Sequence, residues 1–269
     1  MSELASDLLL VVDFDGTVYR GDDPVRRFAR RISAALPPER AEHYLAVFER
    51  YLAEGVAAAR HSTDTVEAAA LRESIDAWGA AQNLAWRCHG VPADVVQVAF
   101  GRTREDMLDP ACELEVVTPL VDELTALRGA VRVVLATNSP RPGLEALLDR
   151  MGVAGAFDDL LPGAAKPDGL RRLLQRDLGG DLRARPWRLF SLGDHYYNDL
   201  APAVEIGAAA GYIDRFGRAD GPATAQAPVV ERLLPAIHAW IADPRSAAVA
   251  AACRGPKSQA CPPENSDKK

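Results

Sequence analysis

The sequence predicts an α/β protein, a Rossmann-like doubly wound parallel sheet with an all-helical cap inserted into it. Three observations carry this expectation. A short apolar run, Leu8 to Val12, stops abruptly in Asp13-Phe14-Asp15-Gly16, as a fully buried strand does where it breaks into a tight loop. From about Pro24 to about Met107 the chain is rich in Ala, Glu, Arg and Leu, with apolar residues at helical spacing and no β-type alternation. After Thr118-Pro119, short apolar runs alternate with helical segments, the pattern of a parallel sheet covered on both faces.

The elements follow in order. Within the helical block Pro37-Pro38 separates the first helix from the second, His61-Ser62-Thr63-Asp64 reads as a stop followed by an N-cap, and Pro92-Ala93-Asp94 opens another helix. Beyond the block we expect a helix to about Leu127, a strand Val131 to Ala136 and a helix Pro142 to Met151. A short segment follows near Phe157 to Leu161, then a helix Pro167 to Leu178 and a strand Arg188 to Leu192. A helix Asp199 to Ala209, a strand near Tyr212 to Asp214 and an amphipathic helix Pro228 to Ala242 complete the pattern. Residues 1–21 and 116–243 therefore form the core and 22–115 the cap. Residues 244–269, turning to Ala, Pro, Ser, Lys and Asn, are expected to be a disordered tail.

Composition bounds the function. With 48% hydrophobic residues the chain can bury a sizeable core, and a net charge of −7 argues against bulk binding to nucleic acid or anionic membrane. Cys88, Cys112, Cys253 and Cys261 are scattered without the spacing of a zinc site or the density of a disulfide scaffold, which predicts reduced thiols. The Leu8 to Val12 run lacks the basic flank and length of a signal peptide, and no run reaches membrane-spanning length, so the cytoplasm is the expected location. There is no GxGxxG loop and no Walker A sequence. A small ligand is the expected partner, and nothing in the sequence fixes the oligomeric state.

Four polar clusters fall where strands of such a sheet end, the crevice in which ligands of doubly wound folds sit. They are Asp13-Phe14-Asp15-Gly16-Thr17, Thr137-Asn138-Ser139, Lys166-Pro167, and Gly193-Asp194-His195-Tyr196-Tyr197-Asn198-Asp199. Each alone has an ordinary reading as a turn or a helix cap. Together they bring Asp13, Asp15, Asp194 and Asp199 into one crevice, where like charges need neutralising by protonation, by Lys166 or by a hard divalent cation.

With those four motifs in this order, the chain resembles the haloacid dehalogenase superfamily of hydrolases, in its phosphatase branch. The resemblance implies that Asp13 is the nucleophile, Asp15 the general acid and base, and Lys166 the cation orienting nucleophile and phosphate. It implies Gly16, Thr137, Asn138 and Lys166 as the substrate-binding set around the phosphoryl group. It further implies Mg²⁺ as cofactor, bound by the Asp13 carboxylate, the Asp15 backbone carbonyl and Asp194, with Asp199 either a further ligand or a residue that orients Asp194 and caps its own helix. The helical insertion occupies the position of the family's C1 cap. Val18-Tyr19-Arg20-Gly21-Asp22, by contrast, is more similar to members whose cap comes later in the chain.

The reading that follows is a Mg²⁺-dependent phosphatase acting on a small phosphorylated metabolite through an aspartyl-phosphate. The alternatives are a phosphomutase of the same superfamily, a dehalogenase, for which Asp15 and the acidic loop have no evident use, and a non-catalytic binding protein. In the cap, Tyr44, Phe48 and Tyr51 are expected to be core. Arg26, Arg27, Arg30 and Arg31 read as a solvated face, as do Arg60, His61, Arg102 and Arg104 unless one of them reaches an acidic substrate. His195 reads as an exposed loop histidine in preference to a proton carrier.

Overall fold

The computed structural model describes residues 7–176 and 181–247. Strand β1 (Leu9–Val12) lies at the centre of a six-stranded parallel sheet, flanked by β4 (Arg132–Ala136) and β6 (Leu189–Gly193). β5 (Asp159–Leu161) extends the sheet beyond β4, while β7 (Ala209–Ile213) and β8 (Ala225–Ala227) extend it beyond β6, giving the order β5-β4-β1-β6-β7-β8. All four residues of β1 are buried because both of its faces are covered. Leu10 and Val12 join a cluster with Leu120, Leu124, Leu147 and Trp240, contributed by α6 (Thr118–Leu127), α7 (Leu144–Met151) and α10 (Leu234–Ala242). Leu9 and Val11 face Leu170, Leu174 and Ala203, from α8 (Asp168–Arg176) and α9 (Ala201–Val204).

The helical insertion leaves the core through β2 (Tyr19–Arg20) and returns through β3 (Glu115–Val116), which pair antiparallel as a short ribbon. Between them lie α1 (Asp23–Ser33), α2 (Pro38–Glu54), α3 (Thr65–Glu73), α4 (Ala77–Asn83) and α5 (Ala93–Asp106). The helix starts fall at the expected signals: Pro38 opens α2, the Asp64 side chain caps α3, and Pro92 precedes α5. Phe28, Tyr44, Phe48 and Tyr51 are fully buried and form a core of the cap's own. Arg26, Arg27 and Arg31 pair with Glu49, Asp23 and Asp106 in partly exposed ion pairs, as a solvated face does. Among the described residues only α8 and a short 3₁₀ turn separate β5 from β6, so the chain carries its insertion between β1 and β4.

Three expectations need correcting. The helix expected over Asp199 to Ala209 is a π-turn, Tyr196–Leu200, followed by the four-residue α9. The helix stops at Val204, and the turn after it closes at Gly207, whose φ of +85° a helix cannot continue. Ala209 and Ala210 then enter the sheet although alanine favours helix, because their burial against both flanking layers outweighs intrinsic propensity. β8, with only Ala-Gln-Ala to mark it, was invisible to periodicity. Finally, residues 244–247, expected to begin the disordered tail, form a helical turn. Arg245 stacks over the Trp187 ring at 5.1 Å, and Ala247 joins the core cluster. The remainder of the tail, with Cys253 and Cys261, lies outside the described residues, as does the end of the helix expected to reach Leu178. No helix among the described residues is long and apolar enough to cross a membrane.

The Arg245 and Ala247 contacts set an expectation for truncation. Ending the chain after Asp243 should cost about 1 kcal/mol, read as a fall in Tm of about 2–4 °C. An unchanged Tm would show that this turn contributes nothing to the core.

Candidate functional site

The parallel sheet brings all four polar clusters to one edge. Loops leave β1, β4 and β6 at their carboxyl ends, and the segment after β5 carries Lys166 to the same place. Lys166 sits at the centre with its side chain only 3% exposed, and its ammonium donates to Asp13 Oδ1 at 2.6 Å, Asp199 Oδ1 at 2.5 Å and the Ala136 carbonyl at 2.9 Å. Its three protons are thereby used. Asn138 locks the loop that carries it: Oδ1 accepts from the Lys166 amide at 2.7 Å and Nδ2 donates to the Lys166 carbonyl at 3.4 Å. Asn138 thus spends its side chain on the Lys166 backbone while still bordering the cleft.

Asp13 Oδ2 accepts from Thr17 Oγ1 at 3.2 Å. Thr137 Oγ1 accepts from the Ser139 amide at 3.0 Å, which leaves its own proton free to donate toward the cleft it lines. Gly16, at φ +81°, lies so close to Asp194 that a Cβ there would stand 2.1 Å from Asp194 Oδ2. Only glycine permits this approach of backbone to carboxylate.

The carboxylates divide by what holds them. Asp199 is 3% exposed and fully engaged, since Lys166 occupies Oδ1 and the His195 amide donates to Oδ2 at 3.0 Å. It thereby positions Lys166 and closes its own turn. Asp194 receives no hydrogen bond from any described residue, yet one oxygen each of Asp13, Asp194 and Asp199 lie within 4.8 Å of one another. Burial first, and then Asp13, Asp76 and Asp199, push the Asp194 carboxyl well above the usual range. Burial and Asp199 raise Asp13 to about 7 against the opposing pull of Lys166. A pocket with more carboxylates than cations suits a hard divalent ion, with Asp194 free of any described hydrogen bond and Asp13 and Asp199 each bringing an oxygen within reach.

Asp15 faces the other way. Tyr19 OH donates to its Oδ1 at 2.5 Å, Arg104 Nη1 to the same oxygen at 2.7 Å, and Ser139 Oγ to Oδ2 at 3.0 Å. Burial works against its charge, but Arg104, Tyr19 and Ser139 outweigh it and hold the carboxyl below its ordinary value. With the side chain so engaged, the backbone carbonyl is what Asp15 could offer a metal. Arg104, on the last turn of α5, is 11% exposed and also lies over the Phe14 ring at 5.7 Å. Of the cap arginines read as solvated, this one enters the site. Its 89-residue separation from Asp15 leaves no local signal in the sequence. Arg102 and His61 pair with Glu105 and Glu54 at the surface. His195 is half-buried at the cleft, and its Nδ1 accepts from the Asn198 amide at 3.2 Å, so it is a capping residue and not a free loop histidine.

A family model of haloacid dehalogenase-like hydrolases matches residues 8–181. The chain belongs to that family. It is a hydrolase of the haloacid dehalogenase type, with three of its four polar clusters inside the matched span. Among solved structures it is similar to YfnB of Bacillus subtilis, described as a HAD hydrolase bound to magnesium, at 13% identity and TM-score 0.52 over 86% of this chain and 98% of that one. It is similar also to a HAD family hydrolase of Deinococcus radiodurans with bound phosphate and sodium, at 17% identity, TM-score 0.50 and coverage of 88% and 97%. A third is a subfamily IA HAD hydrolase of Geobacter sulfurreducens, at 16% identity, TM-score 0.50 and coverage of 86% and 98%. At these identities the likeness speaks for the fold. No curated protein matches the sequence.

The raised Asp13 carboxyl gives a pH signature. In metal-free protein Asp13 takes up a proton on folding between its unfolded value of 3.8 and about 7, so its contribution to stability falls as pH rises through that window. A divalent cation competes with that proton. Added Mg²⁺ should therefore raise Tm more at pH 8 than at pH 5. Equal gains at the two pH values would separate the metal from Asp13.

Proposed function

We propose that the protein is a Mg²⁺-dependent phosphatase that hydrolyses a small phosphorylated metabolite through a phosphoryl group carried on Asp13. The observation that carries this reading is the arrangement of Asp13. One of its oxygens is fixed by Lys166 and the other is directed by Thr17, beside an Asp194 carboxylate that no described donor satisfies. Bound by Asp13, Asp194 and the Asp15 carbonyl, Mg²⁺ would cancel the repulsion between an anionic nucleophile and an anionic phosphate.

The chain's own residues supply the rest. Lys166 aims Asp13 and favours its charged form, and Asp199 holds Lys166. The Thr137 hydroxyl is placed to donate to a phosphoryl oxygen. Asp13 attacks phosphorus, the P–O bond to the alcohol breaks, and the acyl phosphate then loses its phosphoryl group to water. Asp15 serves the second half as it stands: an ionised carboxylate accepts the proton of the attacking water. To protonate the leaving alcohol in the first half it must first gain a proton, against the hold of Arg104, Tyr19 and Ser139. A dehalogenase would leave Asp15 and Asp194 without a task.

Asp13→Asn should lower kcat by at least about a thousandfold against p-nitrophenyl phosphate while Tm holds, because the amide keeps the shape but not the nucleophilicity. Activity within about tenfold of the parent, ~1.4 kcal/mol in barrier, would remove Asp13 as nucleophile. Arg104→Ala should act through Asp15. Losing the guanidinium lets the Asp15 carboxyl rise, so the acid limb of the kcat profile moves to higher pH. An unmoved limb would dissociate Arg104 from the chemistry.

A further inference from the structure

The cleft above Asp13 has a floor built by the core loops and a roof built by the cap. Asp76, Trp78, Gly79, Gln82 and Phe100 form that roof, and none of them is basic. Asp76 Oδ1 accepts from the Gly79 amide at 2.6 Å as the N-cap of α4, and no described residue donates to its other oxygen. The cations nearby are committed elsewhere: Arg104 to Asp15, Lys166 to Asp13 and Asp199, Arg215 to Asp22, and Arg218 to Asp220 and the Ser74 carbonyl. The His195 ring across the cleft is engaged at Nδ1 by the Asn198 amide. Beside Asp76, the Trp78 and Phe100 rings meet edge to face with centroids 5.6 Å apart and pack on Phe28 behind them.

A carboxylate with an unused oxygen next to two aromatic rings is the chemistry that recognises an organic ammonium, by ion pairing and by attraction to the ring faces. The same roof opposes a carboxylate or a second phosphate on the leaving group, which would face Asp76 while the described arginines and lysine nearby already serve other carboxylates. From this we infer that the substrate is a phosphomonoester whose alcohol carries a positive charge, a phosphorylated amino alcohol in chemical class, and that Asp76 is the residue that selects it. This inference rests on the phosphatase reading and extends it to the leaving group.

Non-hydrolysable probes test it without turnover. Calorimetry with Mg²⁺ would compare 2-aminoethylphosphonate, phosphonoacetate and the uncharged reference methylphosphonate on the parent and on Asp76→Asn, a substitution that keeps an N-cap and removes the charge. On the parent, 2-aminoethylphosphonate should bind about tenfold more tightly than phosphonoacetate. On Asp76→Asn that ratio should fall to within about threefold. If Asp76→Asn does not fold, Asp76→Ser offers a second uncharged cap for the same ratio. Methylphosphonate binding with no preference between the charged probes, or a preference that survives loss of the Asp76 charge, overturns the assignment and leaves the phosphatase reading standing. Failure of all three probes to bind, with no turnover of p-nitrophenyl phosphate, overturns both.

Discussion

The site depends on one buried ammonium. Lys166 is the cation that reaches both Asp13 and Asp199, and without it their carboxylates would stand against each other in a setting where an uncompensated ion costs several kcal/mol. Much of the local sequence serves its placement. Ala136 ends β4 so that a carbonyl points at Nζ, Asn138 grips the backbone on either side of Lys166, and Gly193 leaves room for Asp199, whose Oδ2 would lie 2.4 Å from a Cβ there. Even so, one positive charge does not balance Asp13, Asp199 and Asp194. That shortfall is the electrostatic ground for the divalent-cation site proposed above.

A second set of contacts ties cap to core. Arg104 and Tyr19 converge on one oxygen of Asp15, the first from α5 and the second from the ribbon through which the chain leaves the core. On the far side, Arg218 donates to the carbonyls of Arg72 and Ser74, and Phe216 packs on Tyr51 with centroids 5.0 Å apart. Asp76 lies just beyond that contact. The roof of the cleft is thus braced by a core loop, and the state of Asp15 is linked to how the cap sits.

The sheet was legible because burial on both faces leaves short, nearly continuous apolar runs, and the four clusters were legible because each follows such a run or opens a helix. The cap was legible from its caps and prolines, and Tyr44, Phe48 and Tyr51 are core as their spacing implied. What escaped depends on distance in sequence. Nothing local marks Arg104 or Ser139 as partners of Asp15, or Asp76 as part of the cleft, because each takes its meaning from a residue on another element; Tyr19, four residues from Asp15, fits no pattern that marks its contact. β2, β3 and β8 are too short to show a period, and β7 is disguised by alanines. The turn at 244–247 carries no local sign of order because its anchor, Trp187, lies far earlier in the chain.

The ribbon also bears on how the chain is assembled. The central strand finds its first partner only beyond the insertion, with Leu9 opposite Arg132, and closing so long a connection carries an entropic cost. Pairing Tyr19 with Val116 brings the two ends of the insertion together. Once the cap's local helices have formed, the chain between β1 and β4 behaves as a much shorter loop, which lowers that cost by about 1 kcal/mol. The same two-residue ribbon that carries the cap over the cleft thereby shortens the search by which the core completes its sheet.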